Sequence, residues 1–210
     1  MFDDMYDIAT QLALKFARHG PQAAIPVAED FTRLALDTIA LCAMNYRFNS
    51  FYSEELHPFI RAMTDFLVEC GCRNRRPSVM PGFLHRKATE KFEADIAIMR
   101  DTADEVVRNR QQNPDKRKDL LASMLEGVDS RTGEKLDSDN ITSQLITFLI
   151  AGHETTSGTM SFAFYMLLKH PSAHHKVQQE VDRVIGRGPV EVDHLNKLPY
   201  TAAVGTQTYT

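Results

Sequence analysis

Tryptophan is absent from this chain of 210 residues, and cysteine is scarce. Cys42, Cys70 and Cys72 are an odd number of thiols without a Cys-x-x-Cys pair, which argues against a disulfide framework or a zinc site of the usual spacing. Reduced thiols are the expectation, and with them a cytoplasmic location. Arg73 and Arg75 favour a reactive thiolate at Cys70 or Cys72, but ordinary free thiols are the commoner case.

Long apolar runs are also missing. The best candidate, "LITFLIA" at 145–151, is ended by Gly152, His153 and Glu154, well short of the roughly 20 residues that span a membrane. The acidic beginning, "MFDDMYDIAT", has neither the basic nor the apolar region of a secretory signal. The formal net charge of -4 gives no sign of the basic surface typical of nucleic-acid binding. The sequence therefore predicts a soluble protein that binds no nucleic acid.

Strand signals are almost lacking, apart from a strand-like remnant at Val27, so the predicted fold class is all-α. Apolar residues recur instead at helical spacing. Caps, prolines and glycines set the helix ends, and the predicted helices cover residues 5–19, 30–44, 58–72, 88–110, 119–127, 137–169 and 171–186. The stretches at 73–87 and 128–140 are predicted to be loops, because they combine proline, glycine and polar residues.

The longest predicted helix is apolar on nearly every face and should be buried, yet its centre, "FLIAGHETTSGTM" at 148–160, is polar. Gly152 costs about 1 kcal/mol relative to alanine in a helix. Thr155 and Thr156 can turn their hydroxyls onto the carbonyls four residues earlier, which tends to bend a helix. We therefore predict a local opening near Gly152. A buried Glu154 would need a partner or a raised pKa.

The polar centre of this helix is compatible, on spacing alone, with a structural or a metal-binding role. Small residues also permit a close crossing with another helix. "HETTS" begins like the His-Glu-x-x-His motif of metalloproteases, but Ser157 stands where the second histidine is required. His170, His174 and His175 resemble metal ligands at helical spacing, although surface histidines next to a proline are far commoner. We predict no metal ligand in this chain.

"AGHETTSG" resembles the central-helix signature of the cytochrome P450 haem-thiolate monooxygenases, Ala/Gly-Gly-x-Asp/Glu-Thr-Thr/Ser. The flanking stretches "KDLLASMLEG" and "LLKHPSAHHKVQQEVDRVIG" follow the order of that family. "LDTIALCAMNYRFNSFY" is similar to its self-sufficient fatty-acid hydroxylases, in which the haem domain is fused to a reductase. The resemblance implies a helical fold built around one long buried helix, with residues 1–204 as a partial haem domain and 205–210 as a divergent tail.

The resemblance also implies roles for individual residues. Thr155 and Glu154 would form the catalytic pair that relays protons to dioxygen at the haem. The haem and substrate pocket would be contacted by Phe148, Ala151, Gly152, Thr155 and Thr156. The implied cofactors are haem, together with NADPH, FAD and FMN through a fused or separate flavin reductase. A long-chain fatty acid and dioxygen would be the substrates.

Two family motifs are missing from the sequence. There is no Phe-x-x-Gly-x-Arg-x-Cys-Gly loop to supply the iron ligand, and Gln207 and Thr210 stand where a Glu-x-x-Arg helix would continue. We therefore expect the isolated chain to be marginally stable, to lack thiolate-bound haem and to be inactive alone. The alternative function is a non-catalytic helical interaction module.

Overall fold

The computed structural model describes residues 1–20, 22–75 and 85–207. Within these ranges the chain is helical and contains no β-strand, which confirms the predicted all-α class. The α-helices are α1 Phe2–His19, α2 Val27–Met44, α3 Pro58–Arg75, α4 Arg86–Gln112, α5 Leu120–Glu126, α6 Ser138–Lys169, α7 Pro171–Val184, α8 Val192–Leu195 and α9 Pro199–Gln207, with a 3-10 turn at Ser50–Tyr52. No helix in the described ranges is both long and apolar enough to cross a membrane.

The chain divides into two compact units. The first unit contains residues 1–38 and everything from Gly152 onward, and the second contains residues 39–151. The boundaries fall inside α2 and α6, so each of these helices contributes to both units. The single domain over 1–204 stays a prediction.

In the second unit, α3 and α4 pack through the apolar faces that their periodicity predicts. Phe59 and Met63 of α3 are buried, as are Met99 and Val106 of α4. Toward the other end of the pair, Phe66 and Phe92 stack with ring centroids 4.9 Å apart. Most of the predicted loop at 73–87 lies outside the described residues, and α4 begins two residues before the predicted start.

The polar connector of the second unit turns back on itself before α6. Asp129 Oδ1 accepts hydrogen bonds from the backbone N–H groups of Arg131 and Thr132, and Gly133 takes a left-handed φ of 74°, which a glycine adopts without steric cost. Asp137 then caps α6, because its Oδ1 accepts from the Asn140 N–H at 2.8 Å. That hydrogen bond lowers the pKa of Asp137.

In the first unit, Ile8 and Leu12 form the buried face of α1, whereas Met5, at the same helical spacing, is 43% exposed. Lys15 of α1 forms an ion pair with the fully buried Asp30 of α2. Val27 is the first residue of α2, so the prediction of a strand there was wrong. The Asp30 N–H donates to the Pro26 carbonyl at 3.0 Å, and the acidic side chains of the first turn suit a helix N-terminus.

The C-terminal helices of the first unit are joined by Glu180 of α7. Its carboxylate accepts hydrogen bonds from the backbone N–H groups of Tyr200 and Thr201 at 2.9 and 2.8 Å, and from the Thr201 hydroxyl at 2.8 Å. These N–H groups belong to the first turn of α9, which has no carbonyl partners for them within its own helix. Glu180 thus caps α9 from a distance of 20 residues along the chain.

Candidate functional site

The residues singled out by the sequence lie in the middle of α6. This helix is 32 residues long, and its α-helical hydrogen bonding continues through Gly152. The predicted local opening near Gly152 was therefore wrong. One glycine costs about 1 kcal/mol, which is too little to interrupt a long helix whose neighbouring residues are helical on both sides.

A row of residues four positions apart forms the buried side of α6. Leu145 and Leu149 are fully buried, His153 is 2% exposed and Ser157 is 7% exposed. Residues at this spacing lie above one another on a helix. The row is apolar at its beginning and polar at its end, so the buried polar groups of the motif are His153 and Ser157.

The other side of α6 is open. Ala151 and Thr155 are exposed, and each lies two residues from His153, which places it about 200° around the helix from the buried row. Glu154 and Thr156 are also exposed, while Phe148 and Gly152 are half-buried. The six predicted site residues thus lie on two to three consecutive turns of α6. Among them, Ala151 and Gly152 have the smallest side chains.

The expectation that Glu154 is buried was wrong. Glu154 lies about 100° around the helix from His153, beyond the edge of the buried row, and its carboxylate is exposed to water. Since water solvates this group, it needs no buried partner. A carboxylate in this position can exchange protons with the solvent, which a buried one could do only through a relay.

Hydroxyl groups of this helix bond to backbone carbonyls one turn earlier. Thr159 Oγ1 donates to the Thr155 carbonyl at 2.8 Å, and Ser161 Oγ donates to the Ser157 carbonyl at 2.8 Å. Ser157 Oγ donates to the Glu154 carbonyl at 3.2 Å. Such bonds satisfy hydroxyl groups locally, which explains how Ser157 can be buried although its hydrogen bonds within the described residues all lie on its own helix.

His153 and Ser157 are buried polar residues of this helix that the sequence did not single out. Both follow Leu145 and Leu149 at intervals of four residues and therefore lie on the same face of the helix. The four-residue spacing can be read from the sequence. It did not identify the buried face, because the other faces of the helix are apolar as well. The periodicity of an amphipathic helix can orient it only when one face is clearly polar.

A comparison with known families identifies the chain. The cytochrome P450 family model matches residues 4–205. The chain belongs to the cytochrome P450 family. The match covers the six site residues of α6 and all of the helices except the first two residues of α1 and the last two of α9.

Named P450 relatives are similar over almost the whole chain. A bifunctional cytochrome P450/NADPH–P450 reductase of Fusarium oxysporum is 66% identical over 99% of this chain, and one of Aspergillus oryzae is 54% identical over 99%. A self-sufficient cytochrome P450 monooxygenase of Phanerodontia chrysosporium is 49% identical over 99%. The aligned region is 20%, 19% and 20% of these proteins. The chain therefore spans about one fifth of the length of these curated relatives.

The family implies haem, and the open side of α6 fits one face of such a group. Ala151 is exposed and Gly152 is half-buried, and small residues of this kind let a flat ring approach the helix backbone closely. Among the described residues, no group of three or more histidine, cysteine, aspartate or glutamate side chains is arranged to hold a metal ion. Cys42 is buried in α2, and Cys70 and Cys72 lie on α3.

Proposed function

We propose that this chain is the central part of a haem-dependent monooxygenase that hydroxylates long-chain fatty acids. The observation that carries the proposal is the open side of α6, where Ala151 and Thr155 are exposed directly opposite the buried row. Membership of the P450 family supports the reaction class. The fatty-acid substrate rests on the similarity of "LDTIALCAMNYRFNSFY" at 36–52 to the fatty-acid hydroxylases.

The small side chains of α6 would contact the haem, and a large one would contact the substrate. Ala151 and Gly152 would face the haem, and Thr156 would lie at its edge. Phe148, one turn earlier and half-buried, would supply apolar surface for the substrate, as pockets for such molecules are mostly lined by hydrophobic side chains. Haem, when bound, supplies the redox-active iron for dioxygen chemistry, and its axial ligand tunes that chemistry.

Thr155 and Glu154 would move protons. A threonine hydroxyl both donates and accepts hydrogen bonds, so Thr155 can hold a water molecule at the open side of the helix. The exposed Glu154 carboxylate can take a proton from solvent and deliver it toward that water. General acid catalysis of this kind is effective when the proton passes between groups within hydrogen-bond reach.

The electrons would come from a flavin reductase. The relatives from Fusarium oxysporum and Aspergillus oryzae carry an NADPH–P450 reductase in the same polypeptide, which supports NADPH, FAD and FMN as the further cofactors of the complete protein. A fused reductase needs no separate partner, because tethering replaces a bimolecular encounter by an intramolecular one.

The proposal is tested in a complete protein that contains this segment. Reduction followed by carbon monoxide should give the absorption band of thiolate-bound haem, whereas the 210-residue chain alone should not. A saturated long-chain fatty acid should shift the haem spectrum and yield a hydroxylated product with NADPH. A complete protein that binds haem but neither binds nor oxidises any fatty acid would contradict the substrate. One that fails to bind haem would contradict the enzyme class.

A second candidate function rests on a different observation. Phe162 is 64% exposed and Leu168 is 74% exposed on the last turns of α6, and exposed apolar residues of this size favour contact with another surface. A non-catalytic interaction module would therefore capture a stoichiometric partner through these residues. A purified chain that stays monomeric with every candidate partner would argue against this function.

A further inference from the structure

A polar cleft in the second unit lies outside the haem site. It has a volume of about 710 Å³ and is open to solvent, with most of its lining side chains exposed. One wall is residues 45–47, which follow the end of α2, and the other is formed by α4. The α4 residues are spaced so that they share one face: Glu105, Arg108, Asn109 and Gln112.

The wall at residues 45–47 is held in place by contacts behind it. Asn45 takes a left-handed φ of 46°, and its side-chain amide donates to Asp115 Oδ2 at 2.6 Å. The Tyr46 hydroxyl donates to Glu105 Oε1 at 2.6 Å and so connects the two walls. Burial and this bond to Glu105 raise the pKa of Tyr46 well above its ordinary value, so the phenol keeps its proton. A wall fixed in this way loses little freedom when a ligand binds.

Hydrogen-bond donors predominate in the cleft. Among the described residues, the terminal nitrogens of Arg108 and the side-chain amide of Gln112 make no hydrogen bond, and the Arg108 Nε–H has only a long contact of 3.3 Å to the Asp104 carbonyl. Asn109 accepts a bond from Asn113 through its side-chain oxygen at 3.0 Å, and its side chain is exposed. The guanidinium group of Arg108 is rigid and planar, and its paired N–H donors match the spacing of the oxygen atoms in carboxylates and phosphates.

The helix ends at this cleft would disfavour an anion if their carbonyls were unpaired. Both α2 and α4 end here, at Met44 and Gln112. The carbonyl of Met44 accepts from the buried Arg110 at 2.9 Å, and that of Leu41 accepts from Arg117 at 3.3 Å. These bonds satisfy two carbonyls at the end of α2, and the charged side chains that line the cleft are Arg47, Glu105 and Arg108.

We propose that this cleft binds a small oxyanion, a carboxylate or a phosphate, through Arg108, Asn109 and Gln112, with Glu105 accepting from a hydroxyl of the same molecule. The assignment goes beyond the monooxygenase function and does not depend on it. Its failure would leave the haem proposal untouched, because no residue of α6 takes part.

The experiment is calorimetric titration of a complete protein that contains this segment with inorganic phosphate and with citrate at constant ionic strength. Saturable binding of either anion is expected, and the stronger of the two identifies the oxyanion class. Arg108→Gln should weaken it by roughly ten-fold or more, since it removes a charged hydrogen-bonding group. Arg100→Gln is the matched control. It removes the same charge from α4 about 12 Å along the helix and should change the affinity less than about two-fold.

Gln112→Ala is a second variant that leaves every charge in place, and it should weaken binding several-fold. Circular dichroism of each variant establishes that its helices are intact. The proposal is overturned if the wild-type protein binds neither anion, if sodium chloride gives the same heat, or if glycerol binds equally well. It is also overturned if both Arg108→Gln and Gln112→Ala bind like the wild type.

Discussion

Arg110 of α4 and Asp119 at the start of α5 form a buried ion pair with two parallel contacts. Arg110 Nη1 donates to Asp119 Oδ1 at 3.1 Å, and Nη2 donates to Oδ2. Asp119 Oδ1 also accepts a hydrogen bond from the Ala122 N–H at 2.8 Å and so caps α5. Arg110 reaches the Met44 carbonyl as well, so one pair connects the ends of α2, α4 and α5.

Removing one partner of this pair should be costly. Asp119→Ala leaves the Arg110 guanidinium buried without its counter-ion, and breaking such pairs typically destabilises by about 3–5 kcal/mol. Urea unfolding of a complete protein that contains this segment, followed by circular dichroism, measures the change. Asp101→Asn is the control, because Asp101 is exposed on α4 and should shift stability by no more than about 0.5 kcal/mol. Equal effects of the two variants would show that the pair contributes nothing specific.

The Glu180 cap of α9 should make stability depend on pH. Burial raises the pKa of Glu180, but the hydrogen bonds from Tyr200 and Thr201 outweigh it and hold the pKa below its usual value. A lowered folded-state pKa means that the stabilisation is present above the unfolded pKa and is lost as the pH falls through the folded one. Glu180→Gln should therefore lower the melting temperature near neutral pH and have little effect below the folded-state pKa.

Asp182→Asn is the control for this experiment, since Asp182 lies on the same helix and is exposed. Its melting temperature should follow that of the wild type at every pH. If Glu180→Gln also follows the wild type across the whole range, the carboxylate does not hold α9.

Helix positions and caps were largely predictable from the sequence, because they depend on neighbouring residues. Pro58 opens α3, and Asp137 caps α6, as local signals indicated. The short α9 depends on Glu180, which lies about 20 residues away. No local pattern could predict a helix whose first turn is capped from another helix.

The orientation of α6 was the main feature that the sequence did not predict. Apolar residues occur on most of its faces, so hydrophobic periodicity gave no direction, and Glu154 was wrongly expected to be buried. The buried row ends instead in His153 and Ser157. Tertiary packing determines which of several similarly apolar faces is buried. The hydrophobic pattern of a single sequence cannot predict that choice.

The orientation of α6 predicts different costs for two leucine truncations. Leu149 is fully buried and Leu168 is 74% exposed. Leu149→Ala should destabilise a complete protein that contains this segment by about 2–5 kcal/mol, because it leaves a cavity in the core. Leu168→Ala should change stability by no more than about 0.5 kcal/mol. Urea midpoints measure both, and a larger loss for Leu168→Ala would mean that the buried side of α6 is wrongly assigned.

Thr155 should be required for coupling electron use to product formation in the complete protein. Thr155→Ala removes the hydroxyl that would hold the proton-donating water, while the small side chain keeps the surface that would face the haem. Substrate binding should persist, but a larger share of the NADPH should be consumed without hydroxylated product and appear as hydrogen peroxide. Thr155→Ser restores a hydroxyl and should recover most of the coupling.

Thr10→Ala is the matched control for this variant. The Thr10 hydroxyl is exposed on α1 and donates to the Tyr6 carbonyl at 2.8 Å, so this change removes a helical threonine hydroxyl from a helix that has no part in the proposed chemistry. The ratio of product to NADPH, measured with the peroxide yield and the spectral shift on substrate binding, separates a lost proton relay from a lost fold. A Thr155→Ala enzyme that couples as well as the wild type would exclude Thr155 from proton delivery, and Glu154 would then have to act through a different group.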